Sequence, residues 1–245
     1  MMRTAHSLLA ITALAAFGAS GQPATAPVAE ENAVAQLMTG VMAYNAGDYA
    51  RAFVLVRPFA EGGDARMQLL IGKMYQQGQG VARDPAQAIV WFRKAAEQGD
   101  ENAQNLLGEA YRDGNGIAKD PAQALALFRK AAERRDAEAQ YNLAGMYAQG
   151  IAVTKDEVQA FNWYTRAAER GHAEAQFWAG KYYEMGIGTA PNHVMALTWL
   201  NLAYMRTKHP VVREEAGTLA RQIDLKLTPA ERDTARQNVW NYRPF

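Results

Sequence analysis

The residues that ordinarily carry covalent chemistry are almost missing from this sequence. The 245-residue chain has no cysteine, and its only serines are Ser7 and Ser20. Acyl transfer through either type of nucleophile would have to come from the first twenty residues. The histidines are His6, His172, His193 and His209, and none stands four residues from another or in His-Glu-x-x-His. No metal-ligand set is therefore predicted. His172 and His193 fall where helices should begin, which predicts solvated rings. Gly78-x-Gly80 lacks the lysine and hydroxyl of a phosphate loop and follows no strand pattern, so it reads as a turn. Carboxylates are the remaining route to chemistry, as a pair of acids acting on a glycan. Asp84, Asp120 and Asp156 look like helix caps, and Glu97, Glu133 and Glu169 fall in last turns that should face water. No catalytic residue and no cofactor is predicted.

The elements that would position such groups begin after an address. Residues 1–29 hold one charged side chain, Arg3, followed by an apolar run from Leu8 to Ala19 and then Gly18-Ala-Ser-Gly21 with Pro23 and Pro27 behind. Twelve apolar residues are too few to span a bilayer core of about 30 Å. A basic start, a short apolar stretch and a small-residue end predict a secretory signal peptide and linker over 1–29, and hence an exported protein, periplasmic in a Gram-negative source. No later segment is long and apolar enough to span a membrane. The whole chain has 26 basic and 25 acidic residues. So small an imbalance argues against a nucleic-acid partner.

The rest of the chain repeats every 36 residues. Asp84, Asp120, Asp156 and Asn192 share one frame, as do Tyr75, Tyr111, Tyr147 and Tyr183. So do Gly78, Gly114, Gly150 and Gly186, and Gln68, Gln104, Gln140 and Gln176. A fixed period of this size means a solenoid. Each unit reads as two helices. Helix A follows an aspartate cap (Asp64, Asp100, Asp136) and ends at a glycine such as Gly78. Helix B opens with Asp84-Pro85 or Asp120-Pro121, a cap followed by a proline pre-set for the first turn. Subtracting the period places Asp48 at a first, shortened pair, and adding it places Thr228-Pro-Ala-Glu231 at a worn last one. The predicted organisation is a leader over 1–29, a capping pair over 30–63, four repeats over 64–207, a degenerate capping pair over 208–240 and a tail over 241–245.

The strings that carry the pattern are Asp136-Ala-Glu-Ala-Gln-Tyr-Asn-Leu-Ala-Gly-Met-Tyr147, Trp91-Phe-Arg-Lys-Ala-Ala-Glu-Gln-Gly99 and the joining Gly78-Gln-Gly-Val81. They resemble the Sel1-like repeat family, a branch of the tetratricopeptide-like solenoids, over roughly residues 64–207. The resemblance implies an all-α, right-handed α/α superhelix whose A helices line a concave surface. For exported bacterial members it implies an interaction or regulatory role in the cell envelope. Disulfide-rich relatives linked to β-lactam chemistry share no cysteine with this chain. Departures are Ala152 for the second loop glycine, Arg135 for the glycine that ends helix B, and Asn192-His193 for Asp-Pro.

Residues that stay constant between units serve the stacking, and those that vary are free for a ligand. By the resemblance, one stripe of helix A looks into the groove. The groove candidates are Lys73 and Gln76 in the first unit, Asn105, Glu109 and Arg112 in the second, Tyr141 in the third, and Phe177, Lys181 and Glu184 in the fourth. Aromatic anchors inside a charged rim fit a protein or peptide partner. The expectation is a non-enzymatic scaffold that binds a partner protein or peptide of the cell envelope. The alternative is a peptidoglycan-binding or glycan-processing protein using groove carboxylates. Trp178 has no aromatic counterpart in other units, where Leu70, Leu106 and Asn142 stand. It is a candidate for an additional role.

Overall fold

The computed structural model describes residues 26–242, with side chains from Asn32 onward, and these residues form twelve α-helices and no strand. An N-terminal pair, α1 (Ala26–Asn45) and α2 (Tyr49–Glu61), precedes four units. Unit one is α3 (Ala65–Gln77) with α4 (Pro85–Glu97), and unit two is α5 (Glu101–Asp113) with α6 (Pro121–Glu133). Unit three is α7 (Ala137–Gln149) with α8 (Glu157–Glu169), and unit four is α9 (Ala173–Met185) with α10 (His193–Arg206). Then come α11 (Pro210–Asp224) and α12 (Pro229–Asn241). From α1 to α11 each helix packs on the next in the chain, as a solenoid requires. Residues 1–25 of the expected leader lie outside the described residues, and 26–29 open α1.

The caps follow from the sequence. Backbone N–H groups donate to Asp64, Asp100 and Asp136 at the A helices, and to Asp84, Asp120, Asp156 and Asn192 at the B helices. Each A helix of the four units ends on a left-handed glycine, with φ of 71°, 76°, 69° and 67° at Gly78, Gly114, Gly150 and Gly186. The recurring glutamine has a specific task. Gln68, Gln104, Gln140 and Gln176 are buried, and their Nε2 donates to the carbonyls of Ala60, Ala96, Ala132 and Ala168 at 3.0–3.2 Å. Each thus gives a second donor to a carbonyl in the last turn of the preceding B helix, which already accepts from the backbone of Gly63, Gly99, Arg135 or Gly171, and so joins consecutive units.

Packing within a unit depends on missing side chains. A Cβ on Gly72 would fall 2.5 Å from the Phe92 ring, and one on Gly108 would fall 2.7 Å from Phe128. Both rings are fully buried. At Gly180 the neighbour is Leu200, at 2.7 Å. Where the frame wants glycine and the sequence departs, the backbone still adopts the left-handed turn, with φ of 72° at Arg135 and 57° at Ala152. A side chain in that region costs about 1 kcal/mol. Arg135→Gly should therefore raise the unfolding free energy by about 1 kcal/mol. Urea titration of both proteins measures it, and an unchanged midpoint would show that Arg135 makes compensating contacts.

The last pair departs from the frame. Its capping box forms, with Thr228 and Glu231 bonded reciprocally. However, α12 packs chiefly along α10 rather than against α11. The position of Phe92, Phe128 and Leu200 in other B helices is taken here by Arg236, which is exposed and paired with Asp233. Without an apolar side chain there, α12 has nothing to seat on Gly217, which packs against Tyr204 of α10 instead. The end of α12 is held by Tyr242, whose ring lies 4.6 Å from Trp199 and whose carbonyl accepts from Arg206.

Candidate functional site

The A helices α5, α7 and α9 form a continuous strip joined by side chains. Arg112 on α5 donates from Nη1 to Asn142 Oδ1 on α7 at 2.8 Å. Asn142 Nδ2 donates back to Asn105 Oδ1 at 3.0 Å and to Glu109 Oε1 at 3.1 Å, and Asn105 Nδ2 donates to the same Glu109 oxygen. The guanidinium also grips Asp113 through Nε and Nη2 at 2.8 and 2.9 Å. Burial pushes the Glu109 carboxyl above its usual range, opposed by the two asparagine amides. The Arg112 contact holds Asp113 below its usual range.

The next junction is aromatic. The His172 ring stacks on Tyr141, with centroids 4.5 Å apart and planes inclined by 18°. His172 Nδ1 accepts from the Ala175 N–H as the cap of α9, so that nitrogen carries no proton. The proton then sits on Nε2, which donates to Glu138 at 3.1 Å. This hydrogen bond holds the Glu138 carboxyl below its usual range. The solvated ring expected for His172 is thus corrected: the side chain is 9% exposed and wedged between units three and four. His193 is likewise partly buried, with Nδ1 enclosed and unpartnered among the described residues. A helix-start position predicted solvent, but here the neighbouring helix covers the cap.

The sequence-derived candidates divide by burial. Glu109, Arg112 and Tyr141 come together on α5 and α7 and remain half-buried. Lys73 and Gln76 are half-buried on α3, apart from that cluster. Asn105 is buried beneath the strip as a strut. Phe177 does not offer itself to a partner: it is 3% exposed and packs among Leu197, Leu200 and Ala216. Helical spacing placed it in the stripe, but the adjoining helix α11 closes over it. Lys181 lies 5.1 Å from the Phe177 and Trp178 ring centres and pairs with Glu215 at 2.9 Å, and Glu184 faces Lys226 at 3.6 Å. Every groove carboxylate is thus in a structural contact, including Glu174, which accepts from Thr207 at 2.8 Å. Asn142 was missed because its role exists only across two units. Trp178 was singled out by comparing units, and its ring stacks on Tyr164 at 5.9 Å.

Between α5, α7, α8 and α9 the strip opens into a recess of about 380 Å³. Among the described residues no cluster of three His, Cys, Asp or Glu could hold a metal ion, and no helix is long and apolar enough to cross a membrane.

Stacked helix pairs with one varied, half-buried strip define the tetratricopeptide-like class of α/α solenoids, which act by presenting a surface. The Sel1 repeat family matches residues 65–100, 102–136, 137–172 and 173–207, and the chain belongs to that family. Such repeats generally serve as scaffolds for protein–protein interaction. No curated protein matches the sequence. The chain is 28% identical to a Sel1 repeat protein from Oxalobacter formigenes, with a TM-score of 0.68 over 85% of this chain and 86% of that one. It is equally 28% identical to c5321, a protective antigen of uropathogenic Escherichia coli strains, with a TM-score of 0.57 over 88% of this chain and 54% of that one. A Sel1 repeat protein from Klebsiella pneumoniae is 25% identical, with a TM-score of 0.50 over 81% and 97%.

Proposed function

We propose that this protein is an exported interaction scaffold that takes an extended segment of a partner protein along the A-helix strip of units two to four. The carrying observation is the set of bonds that tie α5, α7 and α9 together. Together with the ring contacts of Tyr141 on His172 and of Trp178 on Tyr164, they hold Arg112, Tyr141 and Trp178 in place before any partner arrives, so little side-chain entropy is lost on binding. Since each groove carboxylate already has a structural contact, the strip is built for binding more than for hydrolysis. Export rests on the leader-like composition of residues 1–29, and a cell-envelope partner follows from export.

The test is site-specific photocrosslinking in cells. A photoreactive phenylalanine at Gln149 on the strip, or at Glu133 on the B-helix side, reports which face meets protein. Crosslinked products from Gln149 and none from Glu133 are expected, in the exported fraction. Products confined to Glu133 would move the function to the other face, and a protein retained in the cytoplasm would remove the export reading.

A further inference from the structure

Unit three carries a feature that its sister units lack. The B-helix position held by Phe92, Phe128 and Leu200 is Tyr164, and the facing glycine of the A helix is Ala144. A Cβ in that place would lie within 2.7 Å of the rings at Gly72 and Gly108, so the Tyr164 ring cannot sit where Phe92 and Phe128 sit. It lies instead against Trp178, at 5.9 Å and inclined by 15°. The adjacent groove position, Lys73, Glu109 or Lys181 elsewhere, is Gly145. A Cβ built on Gly145 has the Tyr164 hydroxyl 3.8 Å away and no closer neighbour, so packing does not require glycine there. The absent side chain opens the recess, and the phenol of Tyr164 forms its floor.

Tyr164 is 5% exposed, and its hydroxyl makes no hydrogen bond among the described residues. The oxygen opens on the recess, where solvent reaches it, unlike the Tyr182 hydroxyl, which donates to Glu157 at 2.7 Å. Burial pushes the Tyr164 phenol upward, so it stays a protonated donor. The walls are Met146, Ile151 and the edges of Tyr141 and Trp178, with the unpartnered amide of Gln149 at the rim. Three classes of ligand are disfavoured. Arg112 already holds Asp113 and Asn142, and Glu109 and Glu138 lie nearby, so an acidic group would find no free cation. A basic group would find Asp113, the carboxylate on the recess wall, already paired with Arg112, and Glu109, Glu138 and Glu174 outside the lining and already accepting from Asn142, His172 and Thr207. An entirely apolar side chain would leave the phenol unsatisfied.

We infer that the recess at Gly145 is a specificity pocket for one uncharged amide side chain, glutamine or asparagine, of the segment bound along the strip. Its carbonyl accepts from Tyr164, its NH2 donates to the oxygen of Gln149, and its methylene stem lies on Met146 and Ile151. This inference rests on the strip being the binding face.

The test pans a random twelve-residue peptide display library against the whole chain and three variants. Enriched peptides should share Gln or Asn at one position. Tyr164→Phe should reduce that preference about tenfold, the worth of one buried hydrogen bond, while the rest of the motif survives. Gly145→Lys, which restores the residue of units one and four, should abolish it. Circular dichroism confirms that the variants fold. Acidic, basic or apolar residues at that position, or an amide preference that survives Tyr164→Phe, would overturn the pocket and leave the strip intact. Failure to enrich any peptide, or enrichment unaffected by Tyr141→Ala on the strip, would overturn both readings.

Discussion

Replacing Trp199 by alanine is expected to lower the unfolding free energy by about 3–5 kcal/mol, the largest single effect in the molecule. Trp199 is fully buried and shares a core with Tyr164, Tyr182, Leu202 and Val239. Its removal leaves a cavity and also withdraws the surface on which Tyr242 rests. Because α12 packs chiefly along α10, that loss detaches the last helix as well. In a solenoid, stability is close to a sum of units and their interfaces, so the damage should stay local. Hydrogen exchange should show α12 and α10 losing protection while α3 to α6 keep theirs. Trp199→Phe should cost far less, since it keeps most of the volume and removes an indole N–H that has no partner among the described residues. Equal losses for Ala and Phe would mean that the indole N–H has a partner in solution. A uniform loss of protection along the chain would mean that the array unfolds as one unit.

Two glycine-to-alanine changes at neighbouring helix positions should move stability in opposite directions. Gly108→Ala places a Cβ 2.7 Å from the Phe128 ring, which is fully buried and has no space to yield. Overpacking of that kind costs about 1–3 kcal/mol, more than alanine's helix propensity returns. Gly145→Ala meets nothing closer than 3.8 Å and should stabilise by about 1 kcal/mol through propensity alone. Thermal or urea unfolding of the two variants separates the cases. Stabilisation by Gly108→Ala would show that the Phe128 ring can shift without strain. Destabilisation by Gly145→Ala would show that the recess floor is tighter than its geometry suggests, and would weaken the pocket described above.

The period, the helix pairs, the caps and the left-handed turns could all be read from the residues. Each depends on a local rule: an aspartate accepts from the first turn, a proline suits N1, and a glycine ends the helix. Repetition in one frame then multiplied a weak local signal into a strong one. Asp84, Gly78 and Thr228-Pro-Ala-Glu231 all do what their chemistry dictates within a few residues of their own position. Three features needed the third dimension. Phe177 shared the helical stripe of Tyr141, yet α11 closed over it, because burial depends on what lies across the groove. His172 looked like a solvated cap, yet Tyr141 and Glu138 of the preceding unit enclosed it, because consecutive units bring residues 31 and 34 positions apart into contact. The recess at Gly145 arose from Ala144, Gly145 and Tyr164 acting together on two helices. Sequence fixes which side chains exist at these positions. Only the packing of α7 against α8 and α9 decides which of them is left with a polar atom and no partner.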